Sequence, residues 1–245
     1  MGSHREWAGT VGNTHSVAVI IPFRDRGRDP LRPANLERVT AHWEASPWDY
    51  LVIDDGRTGY DSFNRSAAYN RGAAHTTADI LVYAESDLLV DYRQIQEGIA
   101  QAAAAPGLVV PFSRFMAITP EDSEKVRAFQ IEPHAAKSGQ VRGDKKSIGA
   151  VNIISRDTLD AIGQWPEEFE GAWFDDDACE RAFHVCCGPT RFVDGPGWHL
   201  YHLSGAQGSH LTDADRAATE ANKARYQKYL AAQTPARIRE LTAGA

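Results

Sequence analysis

Cysteine is scarce: the chain has three, Cys179, Cys186 and Cys187, two of them adjacent. An odd set with that spacing builds no disulfide framework, and adding His184 still yields no zinc-ligand pattern. Long apolar runs are lacking too, and none approaches the ~18–20 residues of a membrane span. The segment before Ser16 is polar, with Arg5, Glu6 and His15 and no signal-peptide core. A cytoplasmic location is therefore expected. Basic charge is in deficit, 26 Lys and Arg against 33 Asp and Glu for a net −7, which argues against a general nucleic-acid-binding face. No basic amphipathic helix suggests a membrane partner. Repeats and low-complexity tracts are absent. The alanine- and arginine-rich composition points to a high-GC bacterial or phage genome.

What is present is a pattern of alternating elements in 245 residues, enough for one large domain or two small ones. Residues 17–23 form a continuous β-branched run, as expected of a strand covered on both faces. Strands are also predicted over 50–53, 79–84, 108–112 and 150–154, with short extended pieces over 191–193 and 198–203. Helices are predicted over 36–45, 62–74 (with Ser62 as cap), 92–105, 157–162, 176–186 and 213–232, the last ended by Pro235. Alternation of this kind implies βαβ units and a mainly parallel sheet with flanking helices. Residues 119–146 are polar with weak periodicity and read as a mobile loop or lid.

Chemistry concentrates where strands end, because ligands of open α/β sheets bind outside the carboxyl ends of the strands. Arg24, Arg26 and Arg28 follow the first strand, and guanidinium groups bind phosphate bidentately. Glu85-Ser86-Asp87 follows the third strand, and carboxylates with phosphate oxygens suit Mg²⁺ or Mn²⁺. Together they suggest a site for a metal-bound nucleoside diphosphate. Asp54-Asp55-Gly56 can hydrogen-bond a base or a ribose, although an Asp-Gly turn needs no function. Asp175-Asp176-Asp177 open a helix, which its dipole favours. The run from Trp165 to Phe174 before them is aromatic, and aromatic faces beside carboxylates suit sugar rings, with one acid free to act as base toward an acceptor hydroxyl. His199 and His202, three apart, offer a metal ligand, and either could serve.

Taken in order, these segments resemble GT-A glycosyltransferases, and most closely the group of β-1,4-galactosyltransferases, bacterial family-2 enzymes and polypeptide N-acetylgalactosaminyltransferases. The resemblance spans residues 17–202. IIPFRDR resembles the group's first-strand motif. Phe63-Asn64-Arg65-Ser66 with Asn70-Arg71-Gly72 resembles its FNRA…N-x-G helix. Glu85-Ser86-Asp87 stands at its DxD motif, 148–154 at its GG-V segment and 169–177 at its W-G-G-E-D segment. Two departures stand out: Glu replaces the first acid of DxD, and Trp173-Phe174 replace a glycine pair.

The resemblance implies a GT-A, Rossmann-like nucleotide-diphospho-sugar transferase fold over 1–245. Residues 17–115 would form the nucleotide-binding half, 116–210 the lid and acceptor half, and 211–245 a helical extension. It implies a Mn²⁺- or Mg²⁺-dependent transfer from a nucleotide sugar, UDP-linked, to an acceptor hydroxyl with inversion. The acceptor would be a glycan, a protein or a hydroxylated nucleobase. Pro22, Phe23, Arg24 and Arg26 would line the donor site with Trp173, Arg65 would lie beside the phosphates, and Asp54 or Asp55 would hold uracil or ribose. Asp87 and His202 would ligate the metal, with Glu85 toward metal or ribose. Asp176 would be the base and Asp175 would bind sugar hydroxyls. One rival is a nucleotidyltransferase, whose glycine-rich lysine loop is missing: residues 22–29 hold one glycine and no lysine. The other is a non-catalytic nucleotide-sugar or carbohydrate-binding protein.

Overall fold

The computed structural model describes residues 15–141, 147–148, 150–205 and 207–244. The apolar run becomes β1 (Val17–Pro22) in the middle of a sheet, where Val19, Ile20 and Ile21 lose all contact with water. Burial on both faces explains why it does not alternate. β2 (Asp49–Ile53) and β3 (Ile80–Ala84) pair with it in parallel, joined through α1 (Leu31–Glu44) and α2 (Arg65–Ala74). A Cβ at Gly72 would come within 2.3 Å of Ile20 Cγ2, so glycine lets α2 lie close on β1.

The turn after β3 leads into β4 (Leu88–Val90), then α3 (Tyr92–Ala104), β5 (Val109–Val110) and β6 (Arg114–Ile118). After them come α4 (Pro120–Arg127), β7 (Ser138–Gln140), β8 (Val151–Ser155), α5 (Arg156–Ile162) and α6 (Asp175–Cys187). β9 (Arg191–Phe192), β10 (Pro196–His199), α7 (Asp213–Ala231) and α8 (Pro235–Thr242) complete the chain. Among the described residues the main sheet runs β2-β1-β3-β8-β5-β9. Only β8 is antiparallel to its neighbours there, so the expected mainly parallel sheet is observed. A second sheet, β4-β10-β6-β7, lies beyond the carboxyl end of β3.

The elements differ from the sequence reading where local signals conflict. α1 begins at Leu31 rather than 36, because Pro33 falls in the first turn, where a missing N–H costs nothing. α2 is capped by Asn64, which accepts from Ala67 N–H, not by Ser62. Pro235 opens α8 rather than merely ending α7. Residues 119–141 are not a bare loop. Thr119 caps α4, with Pro120 in its first turn, and β7 pairs with β6; the remaining 142–146 of the expected lid lie outside the described residues. Trp165 and Phe169, grouped above with sugar-facing aromatics, are core instead. Trp165 packs among Tyr69, Tyr83 and Phe183 at ring centroid distances of 4.9, 4.8 and 5.4 Å, behind the carboxyl end of β3.

Candidate active site

The loops after β1 and β3 and the start of α6 surround a cleft of about 690 Å³, a size that suits a cofactor or substrate. Its first pole is the β3–β4 turn. β10 pairs antiparallel with β4 so that His199 lies opposite Leu88, and Leu200 N–H donates to the Asp87 carbonyl at 2.8 Å. Both histidines thereby reach the buried Asp87 carboxylate: His202 Nε2 is 3.2 Å from Oδ2 and His199 Nε2 is 3.7 Å from Oδ1. The two Nε2 atoms are 3.2 Å apart. His202 Nδ1 is 2.6 Å from the Leu203 carbonyl, which can only accept, so this nitrogen carries the proton. In the neutral ring Nε2 then presents a lone pair to a carboxylate and a second imidazole.

Burial pushes the Asp87 carboxyl up, yet the two histidines and Arg32 outweigh it and hold the carboxyl below its usual range. Asp87 Oδ1 is buried and has no hydrogen-bond partner among the described residues. The three ligand atoms lie within 4.8 Å of one another. Converging lone pairs and an orphaned carboxylate oxygen fit a divalent cation.

The second pole is the start of α6. Arg65 forms hydrogen-bonded ion pairs with Glu85, Asp175 and Asp176. Burial pushes the Asp176 carboxyl up, Arg65 pulls it back, and Asp175 and Asp177 push it further, to about 7. Trp173 and Phe174, just before these acids, both adopt φ of 68°, the left-handed region that costs a side-chain-bearing residue ~1–2 kcal/mol. The surroundings fix this turn. Asn222 of α7 donates to the carbonyls of Glu170, Ala172 and Trp173 at 2.7, 3.2 and 3.2 Å. Phe174 packs on Tyr226, while the Trp173 ring stands 57% exposed at the cleft.

Pro22, Phe23, Arg24, Arg26, Arg65, Glu85, Asp87, Trp173, Asp175, Asp176 and His202 all border this cleft, but several have other commitments than expected. Arg24 donates to both Asp55 oxygens and to the Gly59 and Asp61 carbonyls. Arg26 pairs with Asp215 at 2.7 Å and with the Tyr60 carbonyl. These arginines shape the loop after β2 and dock α7. Arg65, expected beside phosphates, is taken up by three carboxylates. Glu85, expected also as a metal ligand, is outside the Asp87–His199–His202 group and pairs with Arg65. Asp54 and Asp55 do not border the cleft: Asp54 caps its own turn through Gly56 N–H, and Asp55 is spent on Arg24 and Asn64 N–H. Two further cations face the cleft, Arg28, named above with Arg24 and Arg26, and Arg32, which the sequence did not single out. Arg28 stacks over Tyr60 at 4.5 Å and donates to the His210 carbonyl, and Arg32 lies 3.6 Å from Asp87 Oδ2.

No family model and no curated protein matches the chain. Solved structures do match in fold. The catalytic domain of Drosophila β1,4-galactosyltransferase 7, complexed with xylobiose, superposes at a TM-score of 0.53 and 14% identity, covering 91% of this chain and 84% of that one. Glucosyl-3-phosphoglycerate synthase from Mycobacterium tuberculosis, in complex with Mn²⁺, UDP-glucose and phosphoglyceric acid, superposes at 0.50 and 11% identity, covering 92% and 80%. A mutant of the Drosophila enzyme with manganese, UDP-Gal and xylobiose gives 0.47 and 15%, covering 74% of this chain and 65% of that one, just under two thirds of its length. The chain thus has the GT-A fold expected from its motifs. Among the described residues no helix is long and apolar enough to cross a membrane.

Proposed function

We propose that the chain is a divalent-metal-dependent glycosyltransferase that moves a sugar from a UDP-linked donor to an acceptor hydroxyl with inversion. One observation carries the reading: a single cleft joins a metal-competent Asp87–His199–His202 group to a carboxylate, Asp176, whose pKa of about 7 suits a general base. A neighbour in fold solved with Mn²⁺ and UDP-glucose supports a divalent metal and a UDP-linked donor. Asp87, His199 and His202 would hold Mn²⁺, which two imidazoles favour over Mg²⁺; when bound, the cation neutralises charge on the leaving diphosphate.

The chain's own residues do the rest. Pro22 and Phe23 wall the donor end. Arg65 orients Asp175 and Asp176 toward the sugar. Asp176 accepts the proton from the acceptor hydroxyl as its oxygen attacks the anomeric carbon from the face opposite the leaving group, and Asp175 hydrogen-bonds sugar hydroxyls. The Trp173 ring, expected to line the donor site, stands exposed at the cleft and offers a stacking face to the acceptor, a glycan, a protein or a hydroxylated base.

A thermal-shift screen of nucleotide sugars with Mn²⁺ tests this, because a ligand at a hundred times its Kd stabilises the folded state by about 2.7 kcal/mol. UDP-sugars should raise the melting temperature only with the metal present. No shift with any nucleotide sugar would refute the proposal.

A further inference from the structure

Among the described residues five arginines border the cleft, and four of them are occupied. Arg24 and Arg26 are hydrogen-bonded into the loop after β2 and to Asp215. Arg28 is stacked and bonded to a backbone carbonyl, and Arg65 is saturated by three carboxylates. Arg32 differs. Among the described residues its side chain makes no hydrogen bond. Its ion contacts among those residues are long, 3.6 Å to Asp87 Oδ2 and 3.7 Å to Asp29 Oδ2, and it is 39% exposed where both acids are nearly covered. It stands in the first turn of α1, on the cleft wall. Asp29 is already engaged, accepting from Leu31 and Leu203 N–H, and so has little need of the guanidinium.

We infer that Arg32 is the cation that pairs with the donor's diphosphate, and that it shares Asp87 with the divalent ion. A cation on Asp87 displaces the guanidinium by like-charge repulsion over a few ångströms. The displaced side chain is flexible, always charged and built for bidentate contact with phosphate. The diphosphate arriving beside that cation then meets a free fork a few ångströms away. Metal and diphosphate binding are thereby coupled through one side chain: the metal alone must compete with Arg32, whereas metal and diphosphate together satisfy both. This rests on the proposed donor class, and it assigns to α1 the phosphate-binding role that the arginines after β1 do not fill.

The test compares wild type with Arg32→Gln and Arg32→Lys by calorimetric titration, first with Mn²⁺ alone and then with UDP at saturating Mn²⁺. Arg32→Gln should bind Mn²⁺ alone tighter, by about threefold or more, as the competing charge is gone. It should bind UDP with Mn²⁺ about tenfold or more weakly, as a charge-assisted contact is lost. Arg32→Lys keeps the point charge but not the fork, and its UDP affinity should fall between the two. Unfolding transitions recorded alongside identify a variant that has lost its fold, and the lysine variant then carries the comparison. If wild type binds Mn²⁺ and UDP but the folded glutamine variant binds either with unchanged affinity, the role of Arg32 is wrong while the donor assignment stands. If wild type itself binds neither, both fall.

Discussion

Asp176→Asn is the perturbation with the largest expected effect on the reaction. Burial and the neighbouring Asp175 and Asp177 outweigh Arg65 and bring the Asp176 carboxyl to about 7. A base with that pKa is about one tenth charged at pH 6 and about nine tenths charged at pH 8. The kcat/KM of the wild type should therefore rise roughly tenfold over that interval and about tenfold per unit below it. An ordinary aspartate would be charged throughout and give a flat profile. The assay is UDP release at fixed Mn²⁺ between pH 5.5 and 8.5. The asparagine variant should lose about 10²–10⁴ in rate, flatten the profile and keep its donor affinity, as expected when the lost interaction belongs to the transition state. Stability should respond too. A folded-state pKa above the unfolded value near 4 means that stability falls as pH rises from about 4 to about 7 and stays lower beyond. The asparagine variant, free of that charge, should melt above wild type at pH 8 and lose the advantage at pH 4. A flat wild-type profile across the range, or wild-type rates from Asp176→Asn, would refute the reasoning.

Other outcomes follow from the same geometry. His199→Ala and His202→Ala should each weaken Mn²⁺ binding about tenfold or more in a metal titration, since both rings reach Asp87; a metal affinity that ignores His199 would leave His202 as the sole imidazole ligand. Trp173→Gly should raise stability by about 1 kcal/mol in urea unfolding by relieving the φ of 68°, while weakening acceptor binding as the exposed ring is lost. Burial pushes the Asp215 carboxyl up, but Thr212 and Arg26 outweigh it and bring it to about 2. Asp215→Asn should therefore cost about 3 kcal/mol at pH 7 by leaving Arg26 unpaired, and the loss should shrink as pH falls from about 4 toward 2, where wild type loses the same charge.

Much of this arrangement is legible in the residues, because strong local signals agree with the fold. The uninterrupted apolar run of β1 and the acids at the end of β3 mark the carboxyl edge of a parallel sheet. Glu85, Asp175, Asp176 and Arg65, carried over with separate roles, border one cleft, where Arg65 pairs with all three acids. What is not legible depends on pairing over long separations. β4 and β7 are three residues each, too short to show a period, yet β4 sets the register that brings His199 to Asp87. Arg24, Arg26, Arg28 and Arg32 look alike in one polar segment. Only their partners at Asp55, Asp215, Tyr60 and Asp87, up to 189 residues away, separate those that are bonded into the loops from Arg32, whose side chain makes no hydrogen bond among the described residues. Trp165 and Trp173 likewise share one aromatic run, and tertiary packing alone sends the first into the core and the second into the cleft.

The most direct test of the account is release of UDP from a panel of UDP-sugars, measured for wild type and Asp87→Asn with Mn²⁺ and with EDTA. The account predicts release by wild type with Mn²⁺, none in EDTA, and little from the folded Asp87→Asn protein under either condition. Release that persists in EDTA, or that Asp87→Asn supports at the wild-type rate, would contradict it.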